Sequence, residues 1–200
     1  AFCAVADGPV RAKSISRVIQ DLKTLVGDKE YTRIAIEDDF FVRSPRRTLE
    51  LCDAITRMRE ETSLDFTWDC QTRVESMRRS DIIGAMEKAG CEAVYLGVES
   101  LNEEQLLYLR KIPHPGAYLA LLKDEVAPRI LASKIACYIN LQLGLPGENE
   151  THRNATIRML HQLGQLARAR GTKITVFPQL HVVYPGTQHF LEGTAHGRFR

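Results

Sequence analysis

Several features are missing from this sequence, and each absence removes a class of function. Its 27 lysines and arginines stand against 25 acidic residues, a net charge of only +2. It therefore lacks the one-signed field with which nucleic-acid binders neutralise phosphates. No apolar run approaches the roughly 18–20 residues that a membrane span requires. The cysteines, Cys3, Cys52, Cys70, Cys91 and Cys137, are scattered and odd in number. That argues against a disulfide framework and for a reducing compartment, so a cytoplasmic location is expected. The phosphate-binding spacings G-x-G-x-x-G and Walker A are absent. The six histidines form no H-x-x-x-H or H-E-x-x-H pair, so His161 and His181 read as structural residues rather than zinc ligands. Solenoid repeats and low-complexity tracts are missing too.

What is present is a chain of 200 residues, 44% of them apolar, enough to bury one sizeable core as a single domain over 1–200. It begins at Ala1 rather than Met and ends on GRFR, and is expected to be a piece of a longer protein. Four short apolar runs stop abruptly in polar or glycine-rich residues: IAIEDDF at 34–40, FTWDCQTR at 66–73, VYLGVES at 94–100 and INLQLGLPGE at 139–148. Each has the length of a buried strand and is followed by an amphipathic helical stretch, the pattern of a parallel β/α barrel.

Helical spacing of Ile15, Val18, Ile19, Leu22, Leu25 and Val26 predicts a first helix, with Ser14 as its cap and Gly27 as its end. No strand precedes it in the chain. A strand follows over 33–37, and Ser44-Pro45 opens a helix whose buried stripe is Leu49, Cys52, Ile55 and Met58. The next strand is placed at 64–70, then a helix capped by Ser80 and ended by Gly90. Asn102 and Gln105 have capping-box spacing for a short helix ending near Arg110. A helix from about Ala117 to Leu131 should be kinked or interrupted by Pro128. Asn149 or Thr151 starts a long helix to Arg170, and 174–183 holds the last strand or pair of extended segments.

In parallel barrels the C-terminal strand ends converge on one mouth that carries the chemistry. Asp38, Asp39, Arg73, Glu99 and Gly144 are therefore expected to be neighbours. The two aspartates fit a metal, an ammonium donor or a base, or one caps a turn while the other is solvated. Arg73 suits bidentate capture of a carboxylate, or an ordinary pair with Glu75 or Asp69. Glu99 is able to accept from a ribose hydroxyl or an amine, or simply to cap a helix. Gly144 and Gly147 permit close backbone approach to a flat ligand.

Taken together, these residues resemble the radical S-adenosylmethionine (radical SAM) superfamily, over nearly the whole chain. Ala1-Phe2-Cys3 is similar to the tail of the cluster motif C-x-x-x-C-x-aromatic-C, with Cys3 as third cysteine and the second lying immediately before Ala1. IAIEDDF resembles the second strand with an acidic replacement for Gly-Gly-Glu, WDCQTR the third, AGCEAVYLGVES the fourth, LGLPGEN the fifth, and VVYPGTQHF the closing P-G-T segment. Among subfamilies the pattern is most similar to cobalamin-associated and methylthiotransferase-like enzymes.

The resemblance implies a partial TIM-like (β/α)6 barrel with its first strand missing. It also implies a [4Fe–4S] cluster held by three cysteine thiolates, S-adenosylmethionine (SAM) chelating the open iron, and a flavodoxin- or ferredoxin-type reductant. A 5′-deoxyadenosyl radical would abstract hydrogen from an unidentified substrate. Cobalamin is the further cofactor implied, through a domain upstream. By position, Asp38 and Asp39 face the SAM amino group, Arg73 its carboxylate or the substrate, and Glu99 the ribose or amino end. Gly144, Leu145 and Pro146 lie near the adenine, and Cys3 is the one cluster ligand present, so this chain alone is expected to be inactive. Pro113-His114-Pro115 and the 184–190 stretch are expected to face substrate. Two other classes fit the residues without the resemblance. One is a divalent-metal barrel hydrolase or lyase using Asp38, Asp39 and Glu99; the other is a non-catalytic barrel serving as a binding module.

Overall fold

The computed structural model describes residues 11–196, so Cys3 lies outside the described residues. Five strands, β1 (Arg33–Ile36), β2 (Thr67–Thr72), β3 (Cys91–Glu99), β4 (Ala136–Leu143) and β5 (Ile174–Leu180), form a single parallel sheet in sequence order. Among the described residues the sheet is open, with β1 and β5 as its two edges. The parallel α/β class expected from the sequence is found, as an open sheet.

Burial alternates along the central strands. Trp68, Cys70 and Thr72 of β2, Val94, Leu96 and Val98 of β3, and Cys137, Ile139 and Leu141 of β4 are buried. Their neighbours of opposite parity, among them Gln71, Tyr95, Gly97, Asn140 and Gln142, are half-buried. One face therefore carries the core and the other is polar and aromatic. Trp68 sits at the centre of the core, fully buried, tilted against Phe41 with ring centres 5.2 Å apart. Its indole N–H donates to the Ala89 carbonyl at 2.9 Å, which satisfies the polar atom of the ring.

The helices begin largely where side chains can cap them. Ser14 accepts from Arg17 N–H at the start of α1 (Ile15–Lys23), and Ser44 accepts from Arg47 N–H at the start of α2 (Pro45–Thr62). α3 (Ser80–Lys88) departs from expectation, because Ser80 is its first helical residue and Arg79 precedes it without a side-chain cap. Gly27 does not end α1; the helix continues as a π-helical turn over Thr24–Asp28, and Glu30, at φ 58, makes the turn toward β1. β2 runs a few residues later than expected because Trp68, Cys70 and Thr72 are the alternating core positions.

α4 (Glu103–Tyr108) is capped by Asn102 as the capping box predicted. The segment after it divides into α5 (Pro115–Ala120), a π-helical stretch over Leu121–Val126, and α6 (Ala127–Leu131). The widened turns just before Pro128 absorb the hydrogen bond that proline cannot make. Asn149 caps α7 (Glu150–Ala169). A last helix, α8 (Gln188–Ala195), was not anticipated; Thr187 caps it by accepting from Phe190 N–H. No helix among the described residues is long and apolar enough to cross a membrane.

Two glycines separate backbone need from mere tolerance. Gly90 ends α3 at φ 89, and a methyl there would displace Arg59 and lie 3.2 Å from the Phe66 carbonyl. Gly164 lies inside α7 with nothing within 4 Å of where a methyl would sit. Gly164→Ala is expected to raise stability by about 0.5–1 kcal/mol. Gly90→Ala is expected to lower it by about 1–2 kcal/mol. Urea denaturation followed by circular dichroism measures both.

Candidate functional site

Parallel pairing in sequence order brings every strand's C-terminal end to the same edge of the sheet, and the richest polar cluster lies there. β3 ends at Glu99, a non-glycine residue at φ 69, and the pairing with β4 shifts register between Gly97 and Glu99. A left-handed glutamate is a strained backbone position that persists only when its surroundings fix it. Here both carboxylate oxygens are engaged. Lys111 Nζ donates to Oε1 at 3.2 Å, and Gln142 Nε2 donates to Oε2 at 2.8 Å.

The pair is enclosed: the Lys111 side chain is 6% exposed and that of Glu99 15%. Local structure builds it. Arg110, at φ 50, turns the chain after α4 so that Lys111 points back to β3. Gly97 leaves room for the carboxylate, since a Cβ there would sit 3.0 Å from Glu99 Oε1. The Tyr118 hydroxyl reaches the Gly97 carbonyl at 3.3 Å.

The cluster extends across the sheet. Gln142 must donate its amide nitrogen to the carboxylate, so its Oε1 faces His181 Nδ1, 2.6 Å away. The His181 ring lies 5.9 Å from that of His189, and His189 Nε2 lies 3.2 Å from the Tyr108 carbonyl. Burial lowers the proton affinity of both imidazoles, and each ring's proximity to other charge modulates it, with His189 depressing His181 further. Below this edge the same face is floored by rings: Tyr95 stacks on Tyr138 at 4.6 Å, and Phe177 leans on Tyr138 at 5.5 Å.

The other expected site residues fall into separate places along the edge. Asp38 and Asp39 follow β1 and are exposed. Their loop is anchored by Phe41, whose N–H donates to the Gln71 carbonyl at 3.0 Å. Arg73 lies over the Phe40 ring at 5.5 Å and pairs with Glu75 at 3.7 Å, the partner that its plain surface reading named. Gly144, at φ 73, donates its N–H to the Glu148 carboxylate at 2.6 Å; Leu145 is buried beneath the turn and Pro146 is exposed.

Shared strand-end placement is thus found, but direct convergence is not. β1 and β4 are three strand spacings apart, about 14 Å, and the contacts join Phe40 to Arg73 and Glu99 to Gln142 instead. No three His, Cys, Asp or Glu side chains among the described residues are grouped to hold a metal ion, so Asp38, Asp39 and Glu99 do not gather around a cation.

Lys111, Gln142 and His181 were not singled out as site residues, and His189 was included only within the 184–190 stretch expected to face substrate. Gln142 was detectable, since in INLQLGL it and Asn140 are the polar alternates of an otherwise apolar strand. Lys111 had no such signal, because only the turn at Arg110 brings it back. The described cysteines are core groups. Burial pushes the Cys137 thiol up to about 12. Burial, helped by Cys91, does the same to Cys52, also to about 12. Cys70 is raised by hydrogen bonding with Cys91 and by burial. None of the described cysteines belongs to a group of three side chains placed to hold a metal ion.

No family model matches the chain. An uncharacterized methyltransferase of Pyrococcus horikoshii is 27% identical over 168 residues, 84% of this chain and 34% of that protein. The fold is similar to that of TsrM from Kitasatospora setae, a radical SAM methyltransferase solved with cobalamin and a [4Fe-4S] cluster bound. That match has a TM-score of 0.65 at 14% identity, over 84% of this chain and 29% of TsrM. It is also similar to OxsB, a cobalamin-dependent SAM radical enzyme solved with aqua-cobalamin and SAM bound, with a TM-score of 0.58 at 16% identity over 75% of this chain and 22% of OxsB. The chain thus spans about a third or less of these proteins. A third similar structure is Elp3 of the archaeon Methanocaldococcus infernus, with a TM-score of 0.58 at 17% identity over 93% of this chain and 46% of that one, so the resemblance read from the motifs meets radical SAM enzymes in the fold as well.

Two outcomes follow. Lys111→Met leaves the enclosed Glu99 carboxylate without its cation and should destabilise the fold by about 3 kcal/mol, the low end for a broken buried pair because Gln142 remains. Adding Glu99→Gln should recover part of that loss, and urea denaturation of the single and double variants checks both. The second concerns pH. His181 and His189 have folded-state proton affinities below the ordinary value of 6.5, so the unfolded chain binds more protons once the pH falls below that value. The histidine contribution should be constant at about pH 7–8, and stability should decline as the pH falls from about 6.5 toward the lowered folded values. His189→Leu should flatten that slope, and no change in slope would remove the histidines from the account.

Proposed function

We propose that this chain is the SAM-binding core of a radical SAM enzyme, its five strands being the second to sixth of a partial (β/α)6 barrel. One observation carries the reading: an enclosed carboxylate, Glu99, at the C-terminal end of a central parallel strand, on the polar face of a fold shared with TsrM and OxsB.

The residues suit SAM in kind. Glu99 keeps lone pairs for ribose hydroxyls or the amino group, while Lys111 balances its charge and Gln142 fixes its rotamer. Asp38 and Asp39 supply exposed carboxylates for an ammonium group, and Arg73 a planar fork for the carboxylate of SAM or of substrate. The 144–146 turn offers backbone to the adenine edge, although the Gly144 N–H is already taken by Glu148. The described cysteines do not suit a cluster, since Cys52, Cys70, Cys91 and Cys137 are buried in the core and no three of them are grouped as ligands. Cluster ligation is assigned to Cys3 and to cysteines preceding it. A [4Fe–4S] cluster held there would supply one electron to the C–S bond of SAM, giving methionine and a 5′-deoxyadenosyl radical, and would take its electron from a flavodoxin- or ferredoxin-type donor. This chain's residues hold SAM in register, and the stacked floor of Tyr95, Tyr138 and Phe177 keeps water from one side.

Methyl transfer is the favoured outcome over hydrogen abstraction alone, because the P. horikoshii relative and TsrM both carry that description. Cobalamin would then be bound by a part of the protein beyond this chain. The test is anaerobic reconstitution of the full-length protein with iron and sulfide, followed by SAM and dithionite. Cluster absorbance with release of 5′-deoxyadenosine supports radical chemistry, and S-adenosylhomocysteine in addition supports methyl transfer. A reconstituted protein that neither binds nor cleaves SAM would refute the reading. Glu99→Gln is expected to weaken SAM binding about 10–100-fold by equilibrium dialysis, the loss of charge-assisted hydrogen bonds.

A further inference from the structure

The hydrogen-bond network fixes which nitrogens of His181 and His189 carry protons. The Glu99 carboxylate can only accept, so Gln142 turns its amide nitrogen toward it and presents Oε1 to His181. His181 Nδ1 must then be the protonated nitrogen, which leaves Nε2 with a bare lone pair in the neutral ring. The Tyr108 carbonyl likewise can only accept, so His189 Nε2 carries the proton and Nδ1 is bare. Both bare nitrogens, His181 Nε2 and His189 Nδ1, are buried without a hydrogen-bond partner. His189 as a whole is 6% exposed.

An unpartnered buried acceptor costs about 1–3 kcal/mol, and here two occur in adjoining rings, 5.9 Å apart. Three features favour a metal ion over a proton donor. Each imidazole donates its other N–H to a carbonyl oxygen, one of an amide side chain and one of the backbone. That is the outer support by which metal-bound histidines are oriented. The spacing also fits: at a Zn–N distance of about 2.0–2.1 Å, two rings sharing an ion at a tetrahedral angle have centres about 5.2 Å apart. The observed 5.9 Å is reached by a modest opening of that angle. Burial keeps both rings neutral near pH 7, the form that ligates.

We propose that His181 Nε2 and His189 Nδ1 form a two-nitrogen site for a borderline divalent ion of the Zn2+ type, whose remaining positions are filled by water or by a donor atom of a bound molecule. The site does not depend on the SAM reading. It revises the expectation that His181 is merely structural, because α8, which carries His189, was not foreseen.

The test is titration of the purified full-length protein, cluster-free and with its accessible thiols alkylated by iodoacetamide, with Co2+ as a spectroscopic stand-in for Zn2+. Saturable visible d–d bands without a thiolate charge-transfer band, displaced by Zn2+, are the expected result. The bands should be lost in His181→Leu and His189→Leu and unchanged in His161→Leu, which removes a surface histidine of α7. Circular dichroism confirms folding, and His189→Gln repeats the test with a polar side chain should the leucine variant fail to fold. No saturable binding, binding that survives loss of either histidine in a folded variant, or spectra carrying thiolate bands would each overturn the proposal.

Discussion

When five strands pair in parallel and in sequence order, every connection must return across the sheet, and every strand ends on the same edge. The location of the chemistry follows from that constraint. Residues 36, 72, 99 and 143, far apart in sequence, terminate neighbouring strands, so whatever polar group follows each strand is delivered to one rim. The same constraint sorts the side chains. Helical returns on one face require alternate strand positions to be apolar, and Trp68, Leu96 and Ile139 meet that need. The intervening positions are free to be polar or aromatic. The candidate site is therefore built from the parity positions that the core does not use.

Within that rim the decisive local event is the enclosure of a carboxylate. Burying Glu99 is unfavourable unless its charge is paired and its oxygens are hydrogen-bonded, and Lys111 and Gln142 do both. The left-handed backbone at Glu99 and the absence of a side chain at Gly97 are the local adjustments that make room for this arrangement. Asp38, Asp39 and Arg73 carry no comparable enclosure; they stand at the exposed end of the rim, where solvent screens them. The rim is graded from an open acidic and basic end at β1 to an enclosed, neutralised centre at β3 and β4. Such a gradient suits a ligand with charged and neutral ends.

Most of the fold was legible because strands and helices announce themselves through period and punctuation. Ser14, Ser44, Asn102 and Asn149 are caps by residue type, and each accepts a backbone N–H in the first turn of its helix, Asn149 rather than Thr151 at the start of α7. Ser80 has the same chemistry, yet the chain enters α3 one residue earlier, since the preceding short 3-10 turn over Val74–Arg78 sets the geometry there. The strand-end placement of Glu99 was legible from VYLGVES. Its partners were not, for they depend on a turn at Arg110 and on a register shift beside Gly97, neither of which leaves a periodic trace. α8 was missed for a similar reason: PGT reads as a turn, and the helix it opens is only eight residues long.

The network beyond Glu99 shows how a charge acts at a distance without a field. The carboxylate dictates the flip of the Gln142 amide, the amide dictates the tautomer of His181, and the tautomer decides which ring nitrogen is left bare. Each step is an all-or-none choice between donor and acceptor, so it transmits undiminished across two side chains, whereas a Coulomb interaction would fade with distance and dielectric. Were Glu99 protonated or replaced by a donor, Gln142 would be free to invert, His181 could present its other nitrogen, and the bare pair shared with His189 would be lost. The strand-end carboxylate and the histidine pair are thus one unit, with the amide of Gln142 as the point where they are joined.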